Sequence, residues 1–139
     1  MQVADLQSHE YADVRALNEA SVPHVNSLSP DDIAWFAARA NYFRVARIDG
    51  ELAGFLIGLG PGLDYASVNY QYFCSRHAVF GYVDRVVVAA TARRQGVGSR
   101  LYDDYQATLR GFVPILTCEM NLMPPKRWSK TDHKAHRIT

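Results

Sequence analysis

Arg93 to Arg100 reads RRQGVGSR, two glycines one residue apart with arginines on both flanks. It follows the β-branched run YVDRVVV and the link AATA, and it precedes a stretch patterned like a helix. At a helix start the first backbone N–H groups lack partners and the helix dipole adds positive character. Glycines there adopt left-handed geometry and let a bulky phosphate come close to the main chain. A strand, a basic glycine loop and a helix therefore suit a diphosphate, while the same spacing also serves as a plain strand-to-helix turn. Two phosphate motifs fit poorly. The P-loop needs a Gly-Lys pair, and none occurs in the chain. The dinucleotide fingerprint needs a third glycine where Leu101 stands, and needs its first glycine near the strand end, whereas seven residues, Ala89 to Gln95, intervene. Glu119 lies at a distance suited to a ribose-binding acid, so that reading stays open as a rival.

The elements that must position this loop are legible in outline. QVADL suits an opening strand, and SHEYADVRALNEA suits an amphipathic helix ending near Val22 and Pro23. In LSPDDIAWFAARA, Ser29 can cap, Pro30 suits the first helical position, and Asp31 and Asp32 favour the positive helix start. Asp49-Gly50 suits a type I′ turn and predicts a hairpin of strands Tyr42 to Ile48 and Glu51 to Leu59. Pro61 to Phe80, rich in Gly, Asn and aromatics, reads as a loop with a short helix. FGYVDRVVVA is the strongest strand and is expected to be central. After the glycines, Leu101, Tyr102, Tyr105, Thr108 and Leu109 share one helix face, with Gly111 as its stop, and VPILTCEMNL is the next strand.

The chain has 139 residues, 48% of them hydrophobic and 21% charged, which suits one globular domain. Its net charge of +1 gives no reason to expect nucleic acid as a partner. Within that average, Pro125 to Thr139 hold five Lys/Arg against one Asp, a net +4, leaving −3 on residues 1 to 124. No apolar run approaches the ~18 residues of a membrane span, and the N-terminus lacks the pattern of a secretion signal, so a cytoplasmic protein is expected. Cys74 and Cys118 show neither a CxxC pair nor a metal spacing. Cys118 reads as a buried structural thiol.

Arg93 to Gly98 also match R/Q-x-x-G-x-G/A, the acyl-CoA pyrophosphate loop of the GNAT acetyltransferase superfamily. ALNEASVPHV, YFRVARIDGELAGFLIGL, YVDRVVV, GSRLYDDY and TCEMNLMPP resemble a bacterial subgroup of it in the same order, over roughly residues 2 to 125. The resemblance implies an α/β (α+β) fold with a mixed, mostly antiparallel sheet flanked by helices. It places the acyl-CoA-binding domain at 1–124 and a basic non-family tail at 125–139. By the same resemblance, Val86, Val87 and Val88 offer main-chain hydrogen bonds to pantetheine in a splay between two strands. Arg93, Arg94, Gln95, Gly96, Val97, Gly98 and Ser99 hold the pyrophosphate. Arg100 either adds charge to a phosphate or is a solvated surface residue. The cosubstrate is acetyl-CoA and no metal is needed. The partners are acetyl-CoA and an amine acceptor, with a homodimer as an open option.

Acetyl transfer to an amine needs the neutral amine, although a lysine-type amine has a pKa around 10. A base must take that proton, a strand N–H can stabilise the oxyanion, and an acid can protonate the leaving thiolate. Asp84 interrupts the apolar strand two residues before the valines and is the first candidate base, or else an ion-pair partner of a neighbouring arginine. Glu119 is the second candidate, or else a solvated strand residue. Tyr82 shares the strand face of Asp84 and is a proton donor, a pocket residue or core. Asn18, Glu19 and the aromatic segment Tyr65 to Phe80 would form the acceptor side, with His77 a helper or a surface residue. None of these residues names the amine.

The resemblance stops at the C-terminal end. Relatives carry an asparagine after the double proline, then a helix and a Gly-Phe strand start; here Lys126 stands in that place and PPKRWSKTDHKAHRIT follows. About one helix and two strands of the usual fold, including the helix with the usual tyrosine acid, are expected to be lacking, and the edge after Met120 to be prone to aggregation. The expected cause is a changed reading frame or gene end, which weakens activity. An intact family-like end in the next frame of the locus supports that cause, and no coding potential in any frame contradicts it. The rival function is a non-catalytic CoA-binding or interaction protein whose basic tail recruits an anionic partner.

Overall fold

In the computed structural model, residues 1–109 and 115–117 are described, the last three as backbone only. The opening strand β1 (Gln2–Asp5) is short, and a 3-10 turn at Ser8–Glu10 leads into helix α1 (Tyr11–Ala20). Helix α2 (Pro30–Arg39) starts as its residues dictate. The Ser29 hydroxyl accepts from the Asp32 N–H at 3.0 Å, the Ser29 N–H donates to the Asp32 carboxylate at 2.9 Å, and Pro30 occupies the first turn. Strands β2 (Tyr42–Ile48) and β3 (Glu51–Leu59) follow. They close on Asp49 and Gly50, whose φ values of 52° and 81° are both positive, as a type I′ turn requires. The aromatic segment contains helix α3 (Val68–Arg76), capped by the Ser67 hydroxyl.

Strand β4 (Gly81–Val88), helix α4 (Val97–Thr108) and strand β5 (Ile115–Thr117) complete the described chain. The five strands lie in sequence order, the first four antiparallel and β5 parallel to β4, so the fold is the expected α/β arrangement with a mixed, mostly antiparallel sheet. β4 is interior, as its β-branched run predicts. Gly111, Cys118, Glu119 and the tail from Pro125 lie outside the described residues, as does most of the strand expected around PILTCEM.

The core takes the predicted apolar faces, with Val14, Ile33, Phe55, Leu101 and Tyr105 fully buried. Thr108, expected on the buried face of α4, is instead exposed and donates its hydroxyl to the Tyr105 carbonyl at 2.7 Å. Helix α4 packs against the sheet over glycines rather than side chains. A Cβ on Gly58 would lie 2.4 Å from the Tyr105 ring, one on Gly81 would lie 2.6 Å from Leu109, and one on Gly54 would lie 2.9 Å from Val97. These three positions let the helix sit close to the sheet, and the Tyr105 hydroxyl anchors it by donating to Asn41 Oδ1 at 2.8 Å.

The closeness of that packing sets a test. Gly58→Val is expected to destabilise the protein by about 1–3 kcal/mol, because the Tyr105 ring has no room to retreat. Urea unfolding checks this, and a midpoint equal to that of the unaltered protein would contradict the packing.

Candidate functional site

The loop before α4 is built from two left-handed residues. Arg94 has φ 67° and Gly96, at the helix N-cap, has φ 78°. Such a conformation is cheap for glycine and strained for arginine. No side chain caps the helix start, and the first intrahelical bond there runs from the Arg100 N–H to the Gly96 carbonyl at 3.0 Å. Helix geometry therefore aims the Val97, Gly98 and Ser99 N–H groups outward without a helical acceptor. Arg93, Arg94, Gln95, Gly96, Ser99 and Arg100 are exposed, whereas Val97 is buried and pins the turn to the core. A Cβ on Gly98 would have nothing nearer than Val88, at 4.0 Å, so the space over this turn is open. Arg100 reaches Asp104 at 3.8 Å, one turn on, and is half exposed.

Strand β4 supplies the second part. Its partners in β3 run Ile57↔Arg85 and then Gly58↔Val83, so Asp84 is an extra residue, a β-bulge. The Ala89 N–H donates to the Ala53 carbonyl of β3 at 2.8 Å. By strand alternation the main-chain groups of Val87 also face β3, and those of Val86 and Val88 face the opposite edge. On that edge the described pairing with β5 ends at Val83↔Thr117. Two of the three expected valines, Val86 and Val88, thus present their main chain to that edge, and Val87 does not.

The bulge also brings together groups that plain alternation would separate. Asp84 Oδ2 accepts from Arg85 Nε at 2.8 Å, and Asp84 Oδ1 accepts from the Tyr65 hydroxyl at 2.6 Å. Both side chains of the ion pair are about 5% exposed. The Arg85 guanidinium goes on to Asn18 Oδ1 at 3.0 Å and the Asn26 carbonyl at 2.9 Å, and it lies 5.7 Å from the Phe36 ring centre. Burial, then the charge of Asp84, holds the Tyr65 phenol well above the usual range, so it stays a neutral donor. The ion pair weighed for Asp84 is therefore formed, and both of its carboxylate oxygens are engaged.

The remaining sequence candidates fall around this cluster. Tyr82 is buried between Tyr70 and Phe73, with ring centres 5.4 and 5.6 Å away, which places it in the core. Asn18 is fully buried with its amide bonded to Arg85, Asn26 and Glu19. Glu19 accepts from the Ser27 hydroxyl, from the Leu28 N–H at 3.0 Å and from Asn18 at 2.9 Å. These bonds fasten the link between α1 and α2. His77 caps the end of α3 through its backbone N–H. Trp35, Phe36 and Tyr65 pack mutually at 5.3 to 5.6 Å, and Arg39 lies over Trp35. The sequence allows Asp84 an ion pair with a neighbouring arginine, which Arg85 supplies, but it does not point to Tyr65 as the second partner, since no local signal marks the bulge that unites them. Among the described residues no cluster of His, Cys, Asp and Glu could hold a metal ion, and no helix is long and apolar enough to cross a membrane.

The three hydrogen bonds to Glu19, the Ser27 hydroxyl first, lower its pKa from 4.5 to about 2. A depressed carboxylate adds stability above its unfolded pKa and loses it as the pH falls through the folded value. Stability is therefore expected to drop between pH 4.5 and about 2, and Glu19→Gln should flatten that part of the curve. Thermal melts across this window check it; parallel curves for the two proteins would contradict it.

Comparison with known proteins follows the same outline. The acetyltransferase (GNAT) family model matches residues 5–124. Among solved structures, the aminoglycoside antibiotic 6'-N-acetyltransferase AAC(6')-IG from Acinetobacter haemolyticus is similar at TM-score 0.66 and 15% identity, over 98% of this chain and 89% of that one. The ribosomal-protein-alanine N-acetyltransferase from Brucella melitensis biovar Abortus 2308 is similar at TM-score 0.62 and 19% identity, over 93% and 85%. A GNAT family acetyltransferase from Brucella melitensis in complex with acetyl-CoA gives TM-score 0.59 and 19% identity, over 91% and 80%. At these identities the likeness is one of fold. Comparison with curated protein sequences gives no match.

Proposed function

The chain belongs to the acetyltransferase (GNAT) family, and we propose that it moves an acetyl group from acetyl-CoA to an amine of a small molecule or peptide by direct attack. One observation carries this reading: an uncapped helix start at Gly96 stands beside a strand whose Val86 and Val88 main-chain groups face away from its β3 partner. The outward N–H groups of Val97 to Ser99 suit a pyrophosphate, with Arg93 and Arg94 supplying charge. Val86 and Val88 offer donors and acceptors to an extended amide arm, as a strand edge does. The Val86 N–H is the donor proposed to polarise the thioester carbonyl, and it is held in place before any reaction begins. Arg100, already shared with Asp104, adds charge at the rim.

The acceptor must lose a proton before it attacks. Asp84 is the described carboxylate on β4, but its oxygens already serve Arg85 and Tyr65, so proton removal through it competes with those bonds. Glu119 is the second candidate for the base. The engagement of Asp84 is also the observation that favours the rival reading, a protein that binds CoA without catalysis.

The two glycines separate binding from folding. Gly96→Val forces a β-branched residue to positive φ and strains the loop, whereas Gly98→Val meets open space. Gly98→Val is therefore expected to keep its melting temperature and to lose at least about tenfold in acetyl-CoA affinity, roughly 1.4 kcal/mol, by calorimetry. Unchanged affinity would mean that the loop is only a turn. Acetyl-CoA is further expected to release thiol in the presence of an amine from a panel of polyamines, aminoglycosides and peptides. Binding with no thiol release across the panel favours the rival.

A further inference from the structure

Adjacent residues of a regular strand point to opposite faces. Asp84 and Arg85 do not: their side chains meet at 2.8 Å in a site where both are almost wholly buried. This is geometrically possible only because Asp84 is the extra residue of the bulge opposite Ile57 and Gly58. Past the bulge the faces exchange parity. Gly81, before it, lies under Tyr105 and Leu109 of α4, and Val88, after it, lies nearest Gly98 of the same helix, although the two are an odd number of residues apart.

The charges reinforce this arrangement. A buried carboxylate or guanidinium alone is costly, so neither can remain without the other. Asp84 is completed by the Tyr65 hydroxyl, and Arg85 by Asn18 of α1 and by the Asn26 carbonyl in the link to α2. A regular register through residue 84 would send one member of the pair to the α4 face, away from these partners. It would also turn the main-chain groups of Val86 and Val88 towards β3 and those of Val87 to the other edge.

We propose that Arg85, acting through its ion pair with Asp84 at the bulge, is the positioning residue that sets the phase of β4. It thereby decides which main-chain groups face the acyl donor. The same guanidinium holds the α1–α2 link at Asn26, so one cation fixes the donor-side strand and the acceptor-side helices together. This role rests on the donor site proposed above, and neither side chain needs to touch the donor to affect its binding.

Residue-resolved amide exchange with and without CoA tests the assignment. In the unaltered protein Val87 and Ala89 are expected to be protected, and Val86 and Val88 to exchange faster until CoA is added. Arg85→Met is expected to abolish this alternation and to weaken CoA binding at least about tenfold while circular dichroism stays native; Arg85→Lys should fall between. A folded Arg85→Met protein that keeps both the alternation and the CoA affinity would overturn the proposal. If Arg85→Met does not fold, Asn18→Leu removes one partner of the guanidinium. It should speed exchange at Val87, and an unchanged pattern there overturns the proposal equally. If the unaltered protein does not bind CoA, the donor reading fails, while the exchange pattern still decides whether Arg85 sets the strand's phase.

Discussion

A guanidinium buried in a protein needs its positive charge balanced and partners for its N–H groups, and Arg85 finds a counter-ion for Nε and two acceptors for Nη1 from three directions. Its counter-ion is the preceding residue, Asp84; its other acceptors come from α1 and from the link to α2. The sheet must bulge for this to happen. The bulge in turn determines which side of β4 faces α4, and which of its main-chain groups lie on the edge beyond the described β5 pairing. Helices α1 and α2 are laid against the same face by the hydrogen bonds that complete the cation. In such a buried network, any change that leaves one of its charges alone is expected to be costly.

The other half of the site depends on closeness rather than charge. Gly54, Gly58 and Gly81 remove the side chains that would hold α4 off the sheet, and Tyr105 fills the space above two of them. With Val97 buried at its first turn, the helix start is fixed beside Val88. An exposed glycine loop is then held on a stiff base, which is what anion binding by backbone N–H groups needs. On the outer side of the same helix, Asp104 gathers Arg44 at 2.7 Å and Tyr42 at 2.8 Å, tying α4 to β2.

Much of this was legible in the residues, and the reasons differ by element. The Asp49-Gly50 hairpin, the Ser29-Pro30 helix start and the helix after Gly96 are specified by neighbours a few positions apart, so local chemistry predicts them. The glycine loop and the strand before it also carried the family resemblance that the match over residues 5–124 supports. An ion pair for Asp84 is among the readings its residues allow, but how the adjacent arginine can supply it is not. Alternation puts Arg85 on the opposite face, and only the register against β3, set over the whole strand, reveals the bulge. Asn18 and Asn26 lie far from Arg85 in sequence, so their bonds to it leave no local trace. The resemblance groups the three valines together, whereas alternation from the Ala89–Ala53 bond turns the main chain of Val87 to β3 and that of Val86 and Val88 to the other edge.

The proposed chemistry depends on where an acyl donor lies. A crystal structure of the protein with acetyl-CoA tests this most directly. The pyrophosphate is predicted on the N–H groups of Val97 to Ser99, with the pantetheine arm bonded to the main chain of Val86 and Val88 and not to that of Val87. A donor seated elsewhere on the sheet, or bonded to Val87, would contradict it.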